Sequence, residues 1–343
     1  IQSSRSSELG KRISMKKIAL ILGVLVVLYL VGPKPDAPVL AGQASWTDIP
    51  DSAQVLPAYI ASKESKTKLK SGNEARIIWA DSTQPKKTKI VFMYVHGFSA
   101  SPMEGDPLHR EVAKKFGANL LLARVAGHGV PDSDSTFAKV TADDYYQSVE
   151  NYYAIAKKLG DEVVVLGTSF GGAMSLVLAS KHPEIKALML YGPCIAIKDP
   201  NATLLDNPWG LQMAHLITGS DYRDIPVMAK GHAENWSLHY RLEGVVAVQN
   251  LLTHAMNKEV FEKVKIPVFL GYYYKDEEHQ DQVVSVDAMK EMFEQVGTPA
   301  SLKKSEAFPN SGNHVITSNL LGKLTDAPIA SSEAFLRNVV KLN

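Results

Sequence analysis

The chain carries a glycine-rich turn that joins a short apolar run to a helix. Residues 167–172 read Gly-Thr-Ser-Phe-Gly-Gly, and they follow the run EVVVL at 162–166. The apolar run is typical of a buried strand, and residues 171–181 predict a helix that ends before His182-Pro183. Gly-x-Ser-x-Gly at a strand-to-helix turn is the nucleophile-elbow pattern, because only glycine fits where the backbone packs this tightly. The pattern predicts a reactive Ser169 at the end of a buried strand.

Strands and helices alternate along most of the chain. Thr141 and Asp144 predict a capped helix start, and Gly160 predicts the end of that helix. The alternation predicts an α/β fold built on a doubly wound, mostly parallel sheet. The other predicted strands are 76–80, 89–95, 119–123, 186–191, 266–273 and 300–304, and the other predicted helices are 55–65, 286–295 and 331–342.

The alternation stops between residues 198 and 263. This interval predicts two helices, near 209–216 and 234–256, that are rich in Trp, Leu, Met and Val. We interpret residues 198–263 as a helical cap inserted over the strand ends, and residues 46–197 with 264–343 as the core domain.

The segment before residue 46 has a different composition. Residues 1–14 are a polar leader, 15–32 contain a run without charge from Ile18 to Val31, and 33–45 are a proline-containing linker. A helical run of this length spans about 21 Å, short of the roughly 30 Å of a bilayer core, and suits a signal peptide or a short membrane anchor. Basic residues precede the run, which predicts export. The catalytic part is then either anchored outside the cytoplasm or, if cleaved, periplasmic or secreted.

Composition excludes several classes of protein. The formal net charge is +1, which gives no electrostatic basis for binding nucleic acid. Cys194 is the single cysteine, so an intrachain disulfide, a cysteine-based zinc site and an iron–sulfur cluster are excluded. The sequence holds no Walker loop, no His-Glu-x-x-His and no complete Gly-x-Gly-x-x-Gly. We therefore expect neither a metal nor a cofactor.

Three further motifs combine histidine with glycine. These are His96-Gly97-Phe98 after a predicted strand, Gly127-His128-Gly129 after the next, and Gly312-Asn313-His314 near the C-terminus. With the elbow at Ser169, the chain resembles the α/β-hydrolase superfamily, and within it the monoacylglycerol lipase and carboxylesterase branch, over residues 76–343 outside the cap. Relatives commonly have Asp where Arg124 stands, a difference that concerns loop packing.

The resemblance implies a catalytic triad in the chain order serine, acid, histidine. His314 is the predicted base for Ser169, because an imidazole titrates near neutral pH and a carboxylate fixes its tautomer. The acid follows the strand at 266–273. Asp281 fits the family pattern Asp-x-Val-Val, whereas Asp276 lies closer to the strand end and is the alternative.

Two backbone N–H groups, of Phe98 and Phe170, are the predicted oxyanion hole. The side chains of Phe98, Trp209 and Trp236 are the predicted substrate-binding groups. Other histidines are expected to be structural at 96 and 128, on the surface at 109, 182 and 279, and in the cap at 215, 232, 239 and 254.

We expect a serine hydrolase that cleaves carboxylic esters of apolar acyl groups through an acyl-enzyme, with membrane proximity favouring lipid-like esters. One alternative is an aminopeptidase-like serine peptidase, for which Glu234 or Asp221 would bind the substrate ammonium group. The other is a catalytically silent binding protein.

Overall fold

A computed structural model describes residues 15–323 and 326–343 of the chain. The described residues form nine strands and eleven helices, besides short 3-10 turns. The strands are β1 (Arg76–Ile78), β2 (Thr88–Val95), β3 (Asn119–Leu122), β4 (Gly160–Thr168), β5 (Ala187–Tyr191), β6 (Tyr222–Asp224), β7 (His239–Arg241), β8 (Val268–Tyr272) and β9 (Lys303–Ala307). The helices are α1 (Met15–Leu30), α2 (Leu56–Glu64), α3 (Leu108–Lys115), α4 (Ala142–Leu159), α5 (Phe170–Lys181), α6 (Gly210–Thr218), α7 (His232–Asn235), α8 (Leu242–Ala255), α9 (Lys258–Lys263), α10 (Val286–Gln295) and α11 (Asp326–Asn338).

Seven strands form one sheet in the order β1-β3-β2-β4-β5-β8-β9. All neighbouring pairs are parallel except β1 with β3. Side chains of the central strands alternate between two buried layers, as the pleat requires. Val91, Met93 and Val95 pack on the side of α4, α5 and α10, and Phe92 and Tyr94 pack on the side of α3 and α11. The predicted doubly wound, mostly parallel sheet is confirmed.

Helix α4 begins where the sequence predicts. Thr141 Oγ1 accepts a hydrogen bond from Asp144 N at 3.1 Å, and Asp144 Oδ2 accepts one from Thr141 N at 3.0 Å. This reciprocal pair satisfies two N–H groups that lack a partner within the helix. The helix ends at Leu159, and Gly160 starts β4. The local signals at both ends therefore position the strand that leads to Ser169.

Two predicted elements near the C-terminus are shifted along the chain. Strand β9 begins three residues later than the predicted 300–304, because residues 300–302 form a 3-10 turn. Helix α11 begins at Asp326, before the predicted 331, with Pro328 inside its first turn. Proline is tolerated there, since the N–H it lacks has no partner within a first turn.

The interval 198–263 contains α6, close to the predicted 209–216, but the predicted second helix at 234–256 is only partly present, as α8 and the end of α7. It is interrupted by an extended segment, with α7 before it and α8 after it. The interruption pairs β7 with β6 in an antiparallel ribbon, and Ser237 N donates to Ser99 O at 2.7 Å. Tertiary backbone hydrogen bonds therefore override the local helical preference.

Helix α3 is absent from the sequence predictions, and its position corrects the expectation for His109. This side chain lies on the inner face of α3, only 1% exposed, with Nε2 2.9 Å from Pro102 O. The predicted surface location of His109 is therefore wrong. His182 is also mostly covered, because its Nε2 lies 2.9 Å from the buried carboxylate of Glu150. His279 is exposed, as predicted.

The apolar residues of the N-terminal run form α1, and their side chains are exposed. Within residues 15–323 and 326–343, no helix has both the length and the apolar character needed to span a bilayer. Cleavage, anchoring and export stay predictions, and the leader at 1–14 lies outside the described residues.

Residues 33–45, predicted to be a linker, lie against the core. The carboxylate of Asp143 at the start of α4 accepts the N–H of Leu40 at 2.6 Å, and Asn151 Oδ1 accepts the N–H of Ser45 at 2.8 Å. The Leu40 side chain is 7% exposed and belongs to the core layer beside α4. The segment therefore contributes to stability, which its proline content did not reveal.

Leu40→Ala should lower the free energy of unfolding by about 2–3 kcal/mol, because truncating a buried leucine removes apolar contact and leaves a cavity. Val39→Ala is the matched control, since the Val39 side chain is 80% exposed. Urea denaturation of both variants in the full chain measures the difference. Equal stability of the two variants would show that residues 33–45 are held only by their backbone hydrogen bonds.

Candidate active site

Ser169 lies on the turn between β4 and α5, with φ 52° and ψ −123°. Such a backbone conformation is strained for a residue with a side chain and persists only where the surroundings enforce it. A Cβ atom on Gly171 would lie 2.1 Å from Val95 O, and one on Gly167 would lie 2.8 Å from Gly171 O. Both positions therefore require glycine, and the close contacts hold the turn in its strained form.

Asp281 is fully buried and faces His314. Its Oδ2 lies 2.5 Å from His314 Nδ1, and its Oδ1 accepts the N–H groups of Val283 and Val284 at 2.8 and 3.0 Å. The two valines of the Asp-x-Val-Val pattern thus supply backbone donors that orient the carboxylate. This arrangement fixes the His314 ring and places a proton on Nδ1, so that Nε2 is the nitrogen available to accept one.

Asp276 has a different environment. Its carboxylate is exposed and bonds within its own turn, with Oδ1 2.7 Å from His279 Nδ1 and 3.1 Å from Glu278 N. The residues between β8 and Asp281 form this extra turn, closed by an isolated pairing of Tyr274 with Gln280. Of the two predicted acids, the structure brings Asp281 and not Asp276 to His314.

Burial and charge act in opposite directions on this pair. Burial alone raises the pKa of Asp281, but the charge and hydrogen bond of His314 and the two valine N–H groups outweigh it, so the pKa lies below its ordinary value. Burial alone lowers the pKa of His314, but the Asp281 carboxylate, with a contribution from Glu104, holds it above its ordinary value. The pair favours a charged imidazolium facing a carboxylate.

His314 and the backbone of Ser169 both lie against the turn after β5. Ser169 N donates to Tyr191 O at 3.1 Å, and Cys194 N donates to Ser169 O at 2.8 Å, so the serine backbone is bonded on both sides of Gly192. A Cβ on Gly192 would lie 3.4 Å from the ring of His314. His314 Nε2 is buried and has no hydrogen-bond partner among the described residues. This is the nitrogen that a serine hydroxyl or a substrate would engage.

The two predicted oxyanion-hole residues lie at neighbouring strand ends. Phe98 follows β2, and Phe170 is the first residue of α5, where backbone N–H groups lack partners within the helix. Within the part of the chain that the structure describes, neither N–H donates a hydrogen bond. The positive end of the α5 dipole adds to this environment. The geometry can stabilise a negative oxygen near Ser169.

The histidines of the two glycine-containing loops are structural, as expected. Val125 N donates to His96 Nε2 at 3.0 Å, so the ring carries its proton on Nδ1, which bonds Gly97 O at 2.9 Å. Ser99 N likewise donates to His128 Nε2 at 3.0 Å. Burial lowers the pKa of His96 to about 4, so this ring is neutral at pH 7 and keeps Nδ1 as the donor and Nε2 as the acceptor. The two rings hold the backbone on either side of Phe98.

The Phe98 side chain links the core to the cap. Its ring centre lies 4.9 Å from that of Phe137 and 5.3 Å from that of Tyr240 in β7. A Cβ on Gly244 in α8 would lie 3.2 Å from the end of the Phe98 ring. The aromatic cluster around Phe98 thus lies next to the predicted oxyanion-hole loop and makes that side of the loop apolar.

The two tryptophans have different positions. Trp236, from the cap, is buried against Leu238 and against Ala100, which lies shortly after Phe98 in the sequence. Trp209 contacts the N-terminal segment instead, with Nε1 donating to Leu28 O at 3.0 Å and its backbone N donating to Pro33 O at 2.9 Å. The structure therefore associates Trp236 with the loop of the site and Trp209 with the end of α1.

Two features were missed or left unexplained by the sequence. Arg124, the departure from the family pattern, forms an ion pair with Glu64 at 2.7 Å and donates to His128 O at 3.0 Å. It therefore packs the second glycine loop, as expected. Glu104, a buried carboxylate beside Gly97, was not identified, because nothing in the run Ser-Pro-Met-Glu-Gly marks it as buried.

No group of three potential metal ligands converges within residues 15–323 and 326–343.

A parallel sheet with a strained serine after β4, a buried aspartate after β8 and a histidine after β9 defines an α/β-hydrolase. The family model described as "Serine aminopeptidase, S33" matches residues 86–308. Because this match covers more than half of the chain, the chain belongs to that family.

The chain is also similar to a thermostable monoacylglycerol lipase of Bacillus sp. (strain H-257). The two are 37% identical over 105 residues, which is 31% of this chain and 41% of the relative. The chain thus spans about two fifths of the length of the curated relatives it matches.

Solved structures share the fold. A structure of the metagenome-derived lipolytic enzymes LipS and LipT is 22% identical with a TM-score of 0.61, covering 79% of this chain and 99% of the other. The monoacylglycerol lipase of Paleococcus ferrophilus is 14% identical with a TM-score of 0.57, covering 78% and 98%. At these identities the likeness establishes the α/β-hydrolase fold.

Proposed function

We propose that this chain is a serine hydrolase that cleaves carboxylic esters through an acyl-enzyme on Ser169. The observation that carries the proposal is the buried hydrogen bond of 2.5 Å between Asp281 and His314, beside a serine with a strained backbone. The family match and the similarity to a monoacylglycerol lipase support the same class of reaction.

In the proposed cycle, His314 Nε2 takes the proton of Ser169 Oγ as the oxygen attacks the ester carbonyl. The developing oxyanion accepts hydrogen bonds from the N–H groups of Phe98 and Phe170. Collapse of the tetrahedral intermediate breaks the ester bond, and the imidazolium returns its proton to the leaving alcohol. Water then attacks the acyl-serine with His314 again as base, which releases the carboxylic acid and the free hydroxyl.

Asp281 does not exchange protons with the substrate in this cycle. Its carboxylate accepts the Nδ1 proton of His314 and stabilises the imidazolium that forms in each half-reaction. Burial strengthens the interaction, because both groups are largely removed from water.

The proposed substrates carry an apolar acyl group. Phe98, Phe137, Tyr145 and Tyr240 form the aromatic cluster next to the oxyanion-hole loop, and its partly exposed member, Phe98, would offer an apolar surface to a chain bound above Ser169. A monoacylglycerol is the proposed lipid-like example, since a relative of this chain carries that name.

The aminopeptidase alternative requires an acid that binds a substrate ammonium group. Of the two residues considered for this role, Asp221 pairs with His215 at 3.2 Å and Arg241 at 3.4 Å, and Glu234 has an exposed side chain. These positions favour ester hydrolysis. A fluorophosphonate probe and parallel assays on p-nitrophenyl esters and aminoacyl p-nitroanilides test the choice. Labelling with anilide turnover alone would favour the peptidase, and no labelling would favour a silent binding protein.

Ester turnover should increase with acyl length up to the limit set by the pocket. Each buried methylene contributes about 0.8 kcal/mol at most, which corresponds to roughly fourfold in kcat/KM. The measurement is kcat/KM for p-nitrophenyl esters from acetyl to dodecanoyl, kept below the concentration at which the esters form micelles. Acetyl and octanoyl esters of equal kcat/KM would contradict an apolar acyl pocket.

A further inference from the structure

Glu104 is a buried carboxylate outside the triad. It lies in the short turn Pro102–Gly105 after β2, and its side chain is only 2% exposed. Its Oε2 accepts the N–H of Gly97 at 2.6 Å and lies 3.2 Å from Tyr94 Oη. Burying a carboxylate costs free energy unless hydrogen bonds compensate for the lost water. These contacts supply such hydrogen bonds, but they do not explain why a carboxylate stands at this position.

That position is next to the nucleophile. A Cβ atom on Gly97 would lie 2.8 Å from Glu104 Oε1 and 2.9 Å from Ser169 Cβ, so only the missing side chain of Gly97 separates the two residues. The backbone of the same turn is tied to the histidine loop, because Thr317 Oγ1 donates to Glu104 O at 2.7 Å. Glu104 thus contacts both chain segments that surround the reacting atoms.

We propose that Glu104 is a positioning residue of the active site: its carboxylate holds the Gly97 N–H so that the adjoining peptide presents the Phe98 N–H to the oxyanion, and its charge stabilises the imidazolium form of His314. The inference rests on the proposed function of the site.

The first part follows from the hydrogen bonds of Gly97. Its N–H donates to Glu104 Oε2 at 2.6 Å, and its C=O bonds His96 Nδ1 at 2.9 Å. The peptide between Gly97 and Phe98 is planar and trans, so a fixed Gly97 C=O directs the Phe98 N–H to the opposite side. The Gly97 N–H belongs to the preceding peptide, so Glu104 fixes Gly97 from one side and His96 from the other, and loss of the Glu104 contact would release one of these two restraints on Gly97.

The second part follows from the groups that face Glu104. Tyr94 from β2 donates its hydroxyl to Glu104, and His109 from α3 packs against the Tyr94 ring. His314, paired with Asp281 in the loop after β9, acts on Glu104 through its charge. Burial raises the pKa of Tyr94 and lowers the pKa of His109 to about 3, so both are neutral near pH 7. Burial raises the pKa of Glu104 to about 7, although Gly97 and His314 oppose the shift. The charge of each group acts on the other: His314 opposes the rise in the pKa of Glu104, and Glu104 contributes to the raised pKa of His314.

The sign of the coupling gives the test. Ionised Glu104 favours protonated His314, so the wild-type enzyme loses the imidazolium proton at higher pH than it would without that charge. Glu104→Gln keeps the shape and an acceptor for Gly97 but removes the charge. The acidic limb of kcat/KM should then move to lower pH, because the charge that helps to raise the pKa of His314 is gone. Glu150→Gln, which removes another buried carboxylate that bonds Tyr146 and His182, is the matched control and should leave the limb in place.

Glu104→Ala tests the positioning role. We expect kcat to fall about tenfold at the pH optimum with little change in KM, since an oxyanion donor is misplaced but substrate contacts remain. An E104Q limb that coincides with the wild type overturns the charge coupling, and an E104A kcat equal to the wild type overturns the positioning. A wild-type chain without ester turnover would overturn the proposed function and this inference with it, whereas active wild type with unchanged variants overturns the inference alone.

Discussion

Ser169→Ala should lower ester turnover by at least about 10⁴-fold and eliminate labelling by a fluorophosphonate. The nucleophile is the group that becomes acylated, and removal of a triad serine in a serine protease costs about 10⁶ in kcat. The backbone of the turn is enforced by the close packing of Gly167 and Gly171, so alanine should adopt the same conformation. The measurements are turnover of one activated ester and probe labelling followed by mass spectrometry.

Ser180→Ala is the matched control for this variant. Ser180 lies on the same helix α5, where its hydroxyl bonds Val177 O at 2.7 Å and has no part in the proposed cycle. It should retain both turnover and labelling. Circular dichroism of the two variants separates loss of chemistry from loss of fold. Turnover by the Ser169 variant above a small fraction of wild type would show that another residue is acylated.

Asp281→Asn should lower kcat by about 10⁴-fold while the protein stays folded. The asparagine presents an amide where the carboxylate accepts the Nδ1 proton of His314, and the same change in a serine protease leaves the geometry intact but stabilises the wrong tautomer. The measurement is kcat on the same activated ester, together with the rate of fluorophosphonate labelling, which should fall in parallel.

Asp276→Asn provides the comparison, because Asp276 is the other acid that the sequence allows. Its carboxylate is exposed and bonds only within its own turn, so the change should alter kcat by less than about fivefold. A large loss at 276 with near-normal activity at 281 would reverse the assignment of the acid. Small and equal losses at both positions would mean that a different group orients His314.

Much of the fold was predictable because its determinants are local. The apolar run at 162–166 and the glycines around Ser169 predicted the central strand and its turn, and Thr141 with Asp144 predicted the start of α4. The valines after Asp281 indicated the acid that the structure places against His314. In each case the residues that determine the feature lie next to it in the sequence.

The features that were not predictable depend on distant contacts. The cap helix expected at 234–256 is interrupted because Ser237 bonds Ser99, far away in sequence. His109 is buried by packing against Tyr94, and Leu40 by packing against α4. Nothing in the sequence around Glu104 marks it as buried. Its role depends on the fold, which brings the turn after β2 next to Ser169. Sequence patterns report the face of an element but not what covers that face.

The close packing of Gly171 also determines which parts of the site can vary. Because a Cβ there would meet both the Val95 and His96 carbonyl oxygens, the end of β2 and the start of α5 are in direct main-chain contact at this point. The main chains that carry the Phe98 and Phe170 amides are therefore held close together at Gly171, while Glu104, His96 and His128 orient the backbone around Phe98. Residues 98 and 170 would contribute through their backbone N–H groups, so their side chains can be exchanged without removing a donor, whereas any side chain at 171 would force the two main chains apart.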